Sequence, residues 1–263
     1  MLRFDPNLRW LFTELPMIER YAAAAAAGFR GVEVAFPYDV PAKELASRLS
    51  DLDLTLVQIL SPFDWDRGER GLAALPGRES AFRSSIQTAL AYSVQVGRPN
   101  VHVMPGNMGP ELDRARCRAL FVENIAWAAD QAQAAGVTLI LEPCCRARFP
   151  QFLYHRLDEG VRVIEDTGRS NVKLCFDTFH VQTEEGSLSE RLQAAWPHIG
   201  HIQVGNVPGR HEPGTGEIHF PYLFALIEKL GWEGWIGCEY TPSGPTLDTL
   251  GWGAPYGIRD PRR

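Results

Sequence analysis

The sequence predicts a (β/α)₈ barrel on three observations. Short β-rich runs alternate with longer helical patterns, which is the signature of parallel βαβ units. Eight strand candidates fit into 263 residues, at roughly 33 residues per unit, as a barrel of this kind requires. The last four candidates each finish on an oxygen donor: Leu-Ile-Leu-Glu142, Leu-Cys-Phe-Asp177, His-Ile-Gln203 and Gly-Cys-Glu239. No interior linker interrupts the alternation, so residues 1–263 are expected to form one domain.

The elements follow in order. Residues 3–8 read as the first strand, and residues 16–27 as a helix that opens after a proline turn and runs through six consecutive alanines to Gly28. Alanine is the best helix former and glycine a favourable C′ residue, so this run reads as a helix packed closely on a sheet. Glu19 and Arg20 interrupt it, which argues against a leader peptide. Strand 31–36 is followed by helix 41–52, with Pro41 where a first-turn proline is tolerated. Strand 55–59 precedes a long Gly-, Pro- and charge-rich loop at 61–77, then helix 79–96 and strand 101–104. Helix 114–135 stops at Gly136, ahead of strand 138–142, helix 158–166, strand 172–177, helix 189–195 and strand 199–203. A second long loop, 204–216, leads to helix 221–230, which begins at Pro221 and is followed by Gly231, and then to strand 235–239. In a barrel the loops that follow strands form the active-site face.

Composition narrows the function classes. A hydrophobic fraction of 45% and a net charge of −6 describe an ordinary globular chain without the clustered basic face that nucleic acid requires. The only basic cluster is the tail, Arg259, Arg262 and Arg263, which reads as a solvated end. No stretch has the apolar length of a membrane span. Five cysteines without a CxxC pair predict neither a disulfide framework nor a zinc ribbon, and a reducing cytoplasm fits.

The separations between the four oxygen donors are 35, 26 and 36 residues, about one βα unit each, so consecutive strands bring them to one rim. Carboxylates are disfavoured in strands and are rarely buried alone, so apolar runs that repeatedly end in one point to a shared cation. The alternative is that each acid caps a following helix or pairs with an arginine. Three carboxylates and one amide carbonyl are a hard, oxygen-only set. It suits one magnesium or manganese ion and leaves about two of six positions for a chelating hydroxy-carbonyl substrate.

Asn7-Leu8, Phe12 to Pro16, Gly31-Val32-Glu33, Gly71 to Glu79, Val101 to Met104, Asp177-Thr178-Phe179-His180, Arg210 to Pro213, Gly216 to Ile218 and Gly234 to Tyr240 together resemble the hydroxypyruvate isomerase family of xylose-isomerase-like barrels. The resemblance covers nearly the whole chain. It implies a proton-transferring pair, Glu142 and Glu239, and a metal held by Glu142, Asp177, Gln203 and Glu239. The implied reaction moves a carbonyl between adjacent carbons of a small hydroxy-oxo acid, as in hydroxypyruvate to 2-hydroxy-3-oxopropanoate through a cis-enediolate, with no organic cofactor. Related ketose 3-epimerases usually place histidine where Gln203 stands, and nuclease relatives use several histidines that this chain lacks. The competing readings are a 2-oxo-tetronate isomerase, a ketose 3-epimerase, or a non-catalytic barrel that binds sugar acids. The resemblance also implies a homo-oligomer.

A substrate carboxylate calls for an arginine. Arg210 is the first candidate, with Arg78, Arg146 and Arg148 behind it. His180 is a substrate-orienting candidate, whereas His102 reads as a barrel-core histidine and Glu33 as a polar wall residue or an ion-pair partner. Phe36, Phe63, Trp65 and Tyr240 follow strand ends and are candidates to close the cavity. The family pattern breaks after Glu142, where an Ile-Asn pair and an Arg-Asp segment are expected and Pro143-Cys144-Cys145-Arg146-Ala147-Arg148 stands instead. Cys144 and Cys145 read there as small wall residues.

Overall fold

In a computed structural model that describes residues 1–262, all eight strand candidates form strands: β1 (Arg3–Pro6), β2 (Gly31–Glu33), β3 (Thr55–Leu60), β4 (Asn100–His102), β5 (Leu139–Leu141), β6 (Val172–Asp177), β7 (Ile199–Val204) and β8 (Trp235–Cys238). Every neighbouring pair is parallel, in the order β1-β8-β7-β6-β5-β4-β3-β2. The two ends meet through a parallel bridge between Asn7 and Glu33, where Leu8 N–H donates to the Glu33 carbonyl at 2.9 Å. The result is a nearly closed (β/α)₈ barrel.

Helices α1 (Met17–Ala26), α2 (Ala42–Asp51), α3 (Glu79–Gln95), α4 (Arg114–Ala135), α5 (Leu157–Thr167), α6 (Thr178–Glu184), α7 (Leu188–Ala195) and α8 (Phe220–Lys229) surround it. Asp113 caps α4 by accepting from Ala115 and Arg116 N–H, and Gly136 ends it in the left-handed conformation at φ 68°. The alanine run of α1 serves close packing, and the segment after it is equally tight. A Cβ on Gly28 would lie 2.3 Å from the Gly257 carbonyl oxygen, at a φ of +94° that side chains avoid.

Strand ends and two unexpected elements depart from the sequence reading. Strand 2 stops at Glu33 rather than at residue 36, because its register shifts between Val32 and Glu33. Helix α6 and a 3₁₀ segment, Thr246–Tyr256, occupy stretches for which no element was expected. The tail is exposed, as expected of a solvated end, and it is also tethered: Arg259 N–H donates to the Ala27 carbonyl at 3.0 Å, and Arg262 pairs with Asp248 and Asp260. Arg263 lies outside the described residues. Among those residues, no helix is long and apolar enough to cross a membrane.

Candidate functional site

Barrel closure turns sequence order into a ring. Glu142 follows β5, Asp177 is the last residue of β6, Gln203 the penultimate residue of β7, and Glu239 follows β8. Asp177 registers with Gln203, and Glu239 N–H donates to the Val204 carbonyl at 3.1 Å, so the last strands present these side chains at one level. A cavity of about 230 Å³ opens there, lined by Glu142, Gln203, Glu239, His180, Arg210 and residues from the opposite strands. Asp177 stands behind this lining, buried and against Arg210.

Both halves of the alternative, a helix cap and an arginine partner, are present at Asp177. Its Oδ1 accepts from Phe179 and His180 N–H at 2.7 and 3.1 Å, capping α6, while Oδ2 accepts from Arg210 at 2.5 Å. Arg210 also reaches Glu239 Oε1 at 3.3 Å and donates from Nε to the Glu239 carbonyl at 3.0 Å. Burial opposes its charge, yet Asp177, Glu239 and Glu142 together push its pKa up and keep it cationic. The guanidinium is thus committed to the site's own acids.

Three carboxylates against one guanidinium leave excess negative charge in a low-dielectric setting, and the two glutamates respond by holding their protons more tightly. Burial pushes Glu142 well above the usual carboxylate range, and Glu239 and Asp177 push it further. Burial also raises Glu239 to about 7, with Arg210 opposing the rise and Asp177 adding to it. Glu142 Oε1 is buried without a hydrogen-bond partner, a state that costs roughly 1–3 kcal/mol or more when nothing answers it. A cation or a proton relieves all of this at once, so the residues fit a metal.

Two donor sets share Glu142. Ligand atoms of Glu142, Cys144 and His180 lie within 4.8 Å of one another. However, His180 Nδ1 accepts from Cys145 N–H at 3.1 Å, which leaves the ring proton on Nε2, 3.9 Å from Glu142 Oε1. Burial pushes His180 down to about 3, so the ring is neutral and faces the cavity as a donor rather than as a ligand. Burial and the neighbouring Glu142 raise the Cys144 thiol well above its normal pKa, the opposite of what a thiolate ligand needs. The oxygen set is chemically the better cradle.

Gln203 is held from behind. Its Nε2 donates to Glu33 Oε2 at 2.7 Å, and its Oε1 accepts from the Cys175 thiol at 3.2 Å. Glu33 also receives His201 Nε2 at 2.6 Å and Asn7 Nδ2 at 3.2 Å. The Asp5 carboxyl lies beside it, fully buried and driven well above its normal pKa by burial and then by Glu33. Room for Glu33 depends on Gly237, where a Cβ would sit 2.0 Å from Glu33 Oε1.

The other candidates separate. Arg78 pairs with Glu69 at 2.8 Å outside the cavity, and Arg146 pairs with Glu184. Arg148, Phe36 and Trp65 line the cavity. Phe63 backs Phe36 at a ring-centroid distance of 5.2 Å, and Tyr240 is fully buried, its hydroxyl accepting from Trp252. Cys144 and Cys145 are buried free thiols outside the lining, where Cys145 sets the His180 ring. Sequence reasoning set His102 aside, yet it lines the cavity with Nε2 3.6 Å from Glu142 Oε2, kept neutral by burial, which lowers it to about 4. It missed Arg9, Trp10, Gln58 and Phe149 in the lining. The position of Arg9 and Trp10 directly after β1 was the available signal.

A family model for the xylose isomerase-like TIM barrel matches residues 21–256. The chain belongs to this family. It is 46% identical to the 2-oxo-tetronate isomerase of Cupriavidus necator, over 97% of this chain and 99% of the relative. It is 38% identical to the hydroxypyruvate isomerase of Escherichia coli, over 97% of this chain and 100% of the relative. A crystal structure named AP endonuclease, family 2, from Brucella melitensis superposes with a TM-score of 0.95 at 40% identity, covering 98% of this chain and 100% of that one. Within this xylose isomerase-like barrel Glu142, Asp177, Gln203 and Glu239, at the ends of β5 to β8, lie on the face where the fold places active sites.

Proposed function

We propose that the chain is a metal-dependent isomerase of small hydroxy-oxo acids, interconverting hydroxypyruvate or a 2-oxo-tetronate with the isomer whose carbonyl has moved one carbon. One observation carries this reading: Glu142 and Glu239 line one small cavity, and burial raises both above the usual carboxylate range, Glu239 to about 7. Such a pair can hold one proton and lack another at the same pH, which is what proton removal at one carbon and return at its neighbour require.

Glu142, Asp177, Gln203 and Glu239 would hold the ion, magnesium or manganese by their oxygen chemistry. When bound, it would polarise the carbonyl and stabilise the enediolate charge. The protein's residues do the rest. One glutamate takes the proton from the carbon bearing the hydroxyl and the other delivers one to the former carbonyl carbon, while the hydroxyl proton passes to the former carbonyl oxygen. The Nε2–H of His180 offers a hydrogen bond to a substrate oxygen beside Glu142. Arg210 keeps Asp177 and Glu239 in place. Phe36, Trp65 and Phe149 exclude water from the reacting carbons.

The name of the Brucella structure points to DNA instead. The chain's own features favour isomerisation: of its seven histidines only His102 and His180 line the cavity, and the net charge is −6. The test is turnover of hydroxypyruvate and 2-oxo-tetronates in deuterium oxide. Deuterium should enter at the reacting carbon, chelation should abolish turnover, and magnesium or manganese should restore it. Turnover that survives exhaustive chelation would sink the metal-dependent reading.

A further inference from the structure

The cavity floor is acidic, so an anionic substrate needs a cation that the floor has not already consumed. Three arginines line the cavity: Arg9, Arg148 and Arg210. Arg210 is spent on Asp177 and Glu239. Arg9 and Arg148 form no ion pair among the described residues.

Arg9 is nevertheless held in place. Its guanidinium lies 4.2 Å from the centre of the Trp65 ring, and Arg70 stacks on the same indole at 3.7 Å. Its backbone N–H is fixed by Asn7 Oδ1 at 3.1 Å. A stacked guanidinium loses little further freedom on binding and keeps its in-plane N–H fork free for a carboxylate. Partial burial and the like charge of Arg70 outweigh the favourable charges of Glu239 and Asp66, so the Arg9 cation carries a penalty that a docked anion relieves. Arg148 reaches the cavity from the loop after Glu142, and its charge is felt at His180.

We infer that Arg9 and Arg148 form the carboxylate-recognition site of this cavity, selecting substrates with a carboxylate beside the hydroxy-carbonyl pair over neutral sugars. This rests on the isomerase reading for the identity of the substrate, and it replaces Arg210 as the residue that recognises the substrate's charge. The reacting atoms lie over the carboxylate floor, and the substrate's own carboxylate turns toward the mouth. Charge complementarity sets the orientation: the reverse pose would place an anion against Glu142 and Glu239.

Equilibrium binding tests this without turnover. Glycerate and glycerol share three oxygenated carbons and differ in the carboxylate. Calorimetric titration of the magnesium-supplemented protein should give glycerate a preference of roughly 10- to 100-fold. In the Arg9→Gln/Arg148→Gln double variant that preference should collapse toward unity, while Arg9→Lys keeps part of it. Both arginines are exposed, so thermal unfolding should be little changed. A preference that survives in the double variant, or none in the wild type, overturns the inference. Arginine-dependent binding of glycerate without deuterium exchange into any hydroxy-oxo acid would leave the carboxylate site standing and remove the isomerase reading.

Discussion

Against the ends of β6 to β8 the charged side chains of the cavity wall, Asp177, Glu239 and Arg210, are deeply set and already partnered, whereas at the mouth Arg9, Arg148, Trp65 and Arg70 are exposed or half-exposed, with Arg9 and Arg70 leaning on Trp65. The first side carries the acids and, in the proposed function, the chemistry. The second carries cations and aromatic surface at the entrance. Groups that move protons must be fixed and desolvated to shift their pKa values, so they sit at strand ends on the barrel's rigid wall. Groups that admit and orient an anion need charge and reach, so they sit on loops.

The largest effect expected from breaking the acidic side is on turnover. Glu142→Gln and Glu239→Gln should each lower kcat by about 10²- to 10⁴-fold, the usual worth of a positioned acid or base. The neutral amides should leave the melting temperature near or above that of the wild type, since both carboxyls are already driven toward neutrality by burial. A steady-state assay with a thermal melt checks both, and unimpaired turnover in either variant refutes the role assigned to that glutamate.

A smaller effect separates the two sides directly. Glu33 orients Gln203 and His201 from behind, so Glu33→Gln should weaken manganese binding by about 10- to 100-fold, the usual consequence of losing the partner that orients a ligand. Arg9→Gln should leave manganese affinity unchanged. Titration followed by electron paramagnetic resonance gives both values, and equal losses would erase the division of labour.

The smallest effect concerns stability at Asp5. Its folded pKa is raised by burial and then by Glu33, so the folded state keeps a proton that the unfolded state releases near pH 4. Stability is therefore lost through this group as pH rises from about 4 toward its folded pKa. Asp5→Asn should flatten that decline, with urea midpoints at pH 5 and pH 8 closer together than in the wild type. A steeper decline in the variant would reverse the sign argued here.

Alternation and spacing were enough to place all eight strands, because each βα unit repeats the same exchange of a buried sheet run for an amphipathic helix. The bounds of α4 were legible to the residue, since Asp113 and Gly136 mark both ends chemically. The limit of β2 was not, because the register shift after Val32 comes from pairing with β3. In the site, Glu142, Gln203 and Glu239 were legible as oxygen donors ending apolar runs. His102 was misread because a histidine inside a strand looks the same in sequence whether its ring meets the core or a cavity.

Sequence order settled which residues stand at strand ends, since the period of a βα unit brings them to one rim whatever their partners. Which arginine is free to meet a substrate was decided only when the barrel closed. Arg210 lies 29 residues from the Glu239 carbonyl that it binds, and Arg9 rests on a tryptophan from the loop after β3. Ion pairs and stacking depend on distances across the barrel mouth, which closure sets and no local pattern encodes.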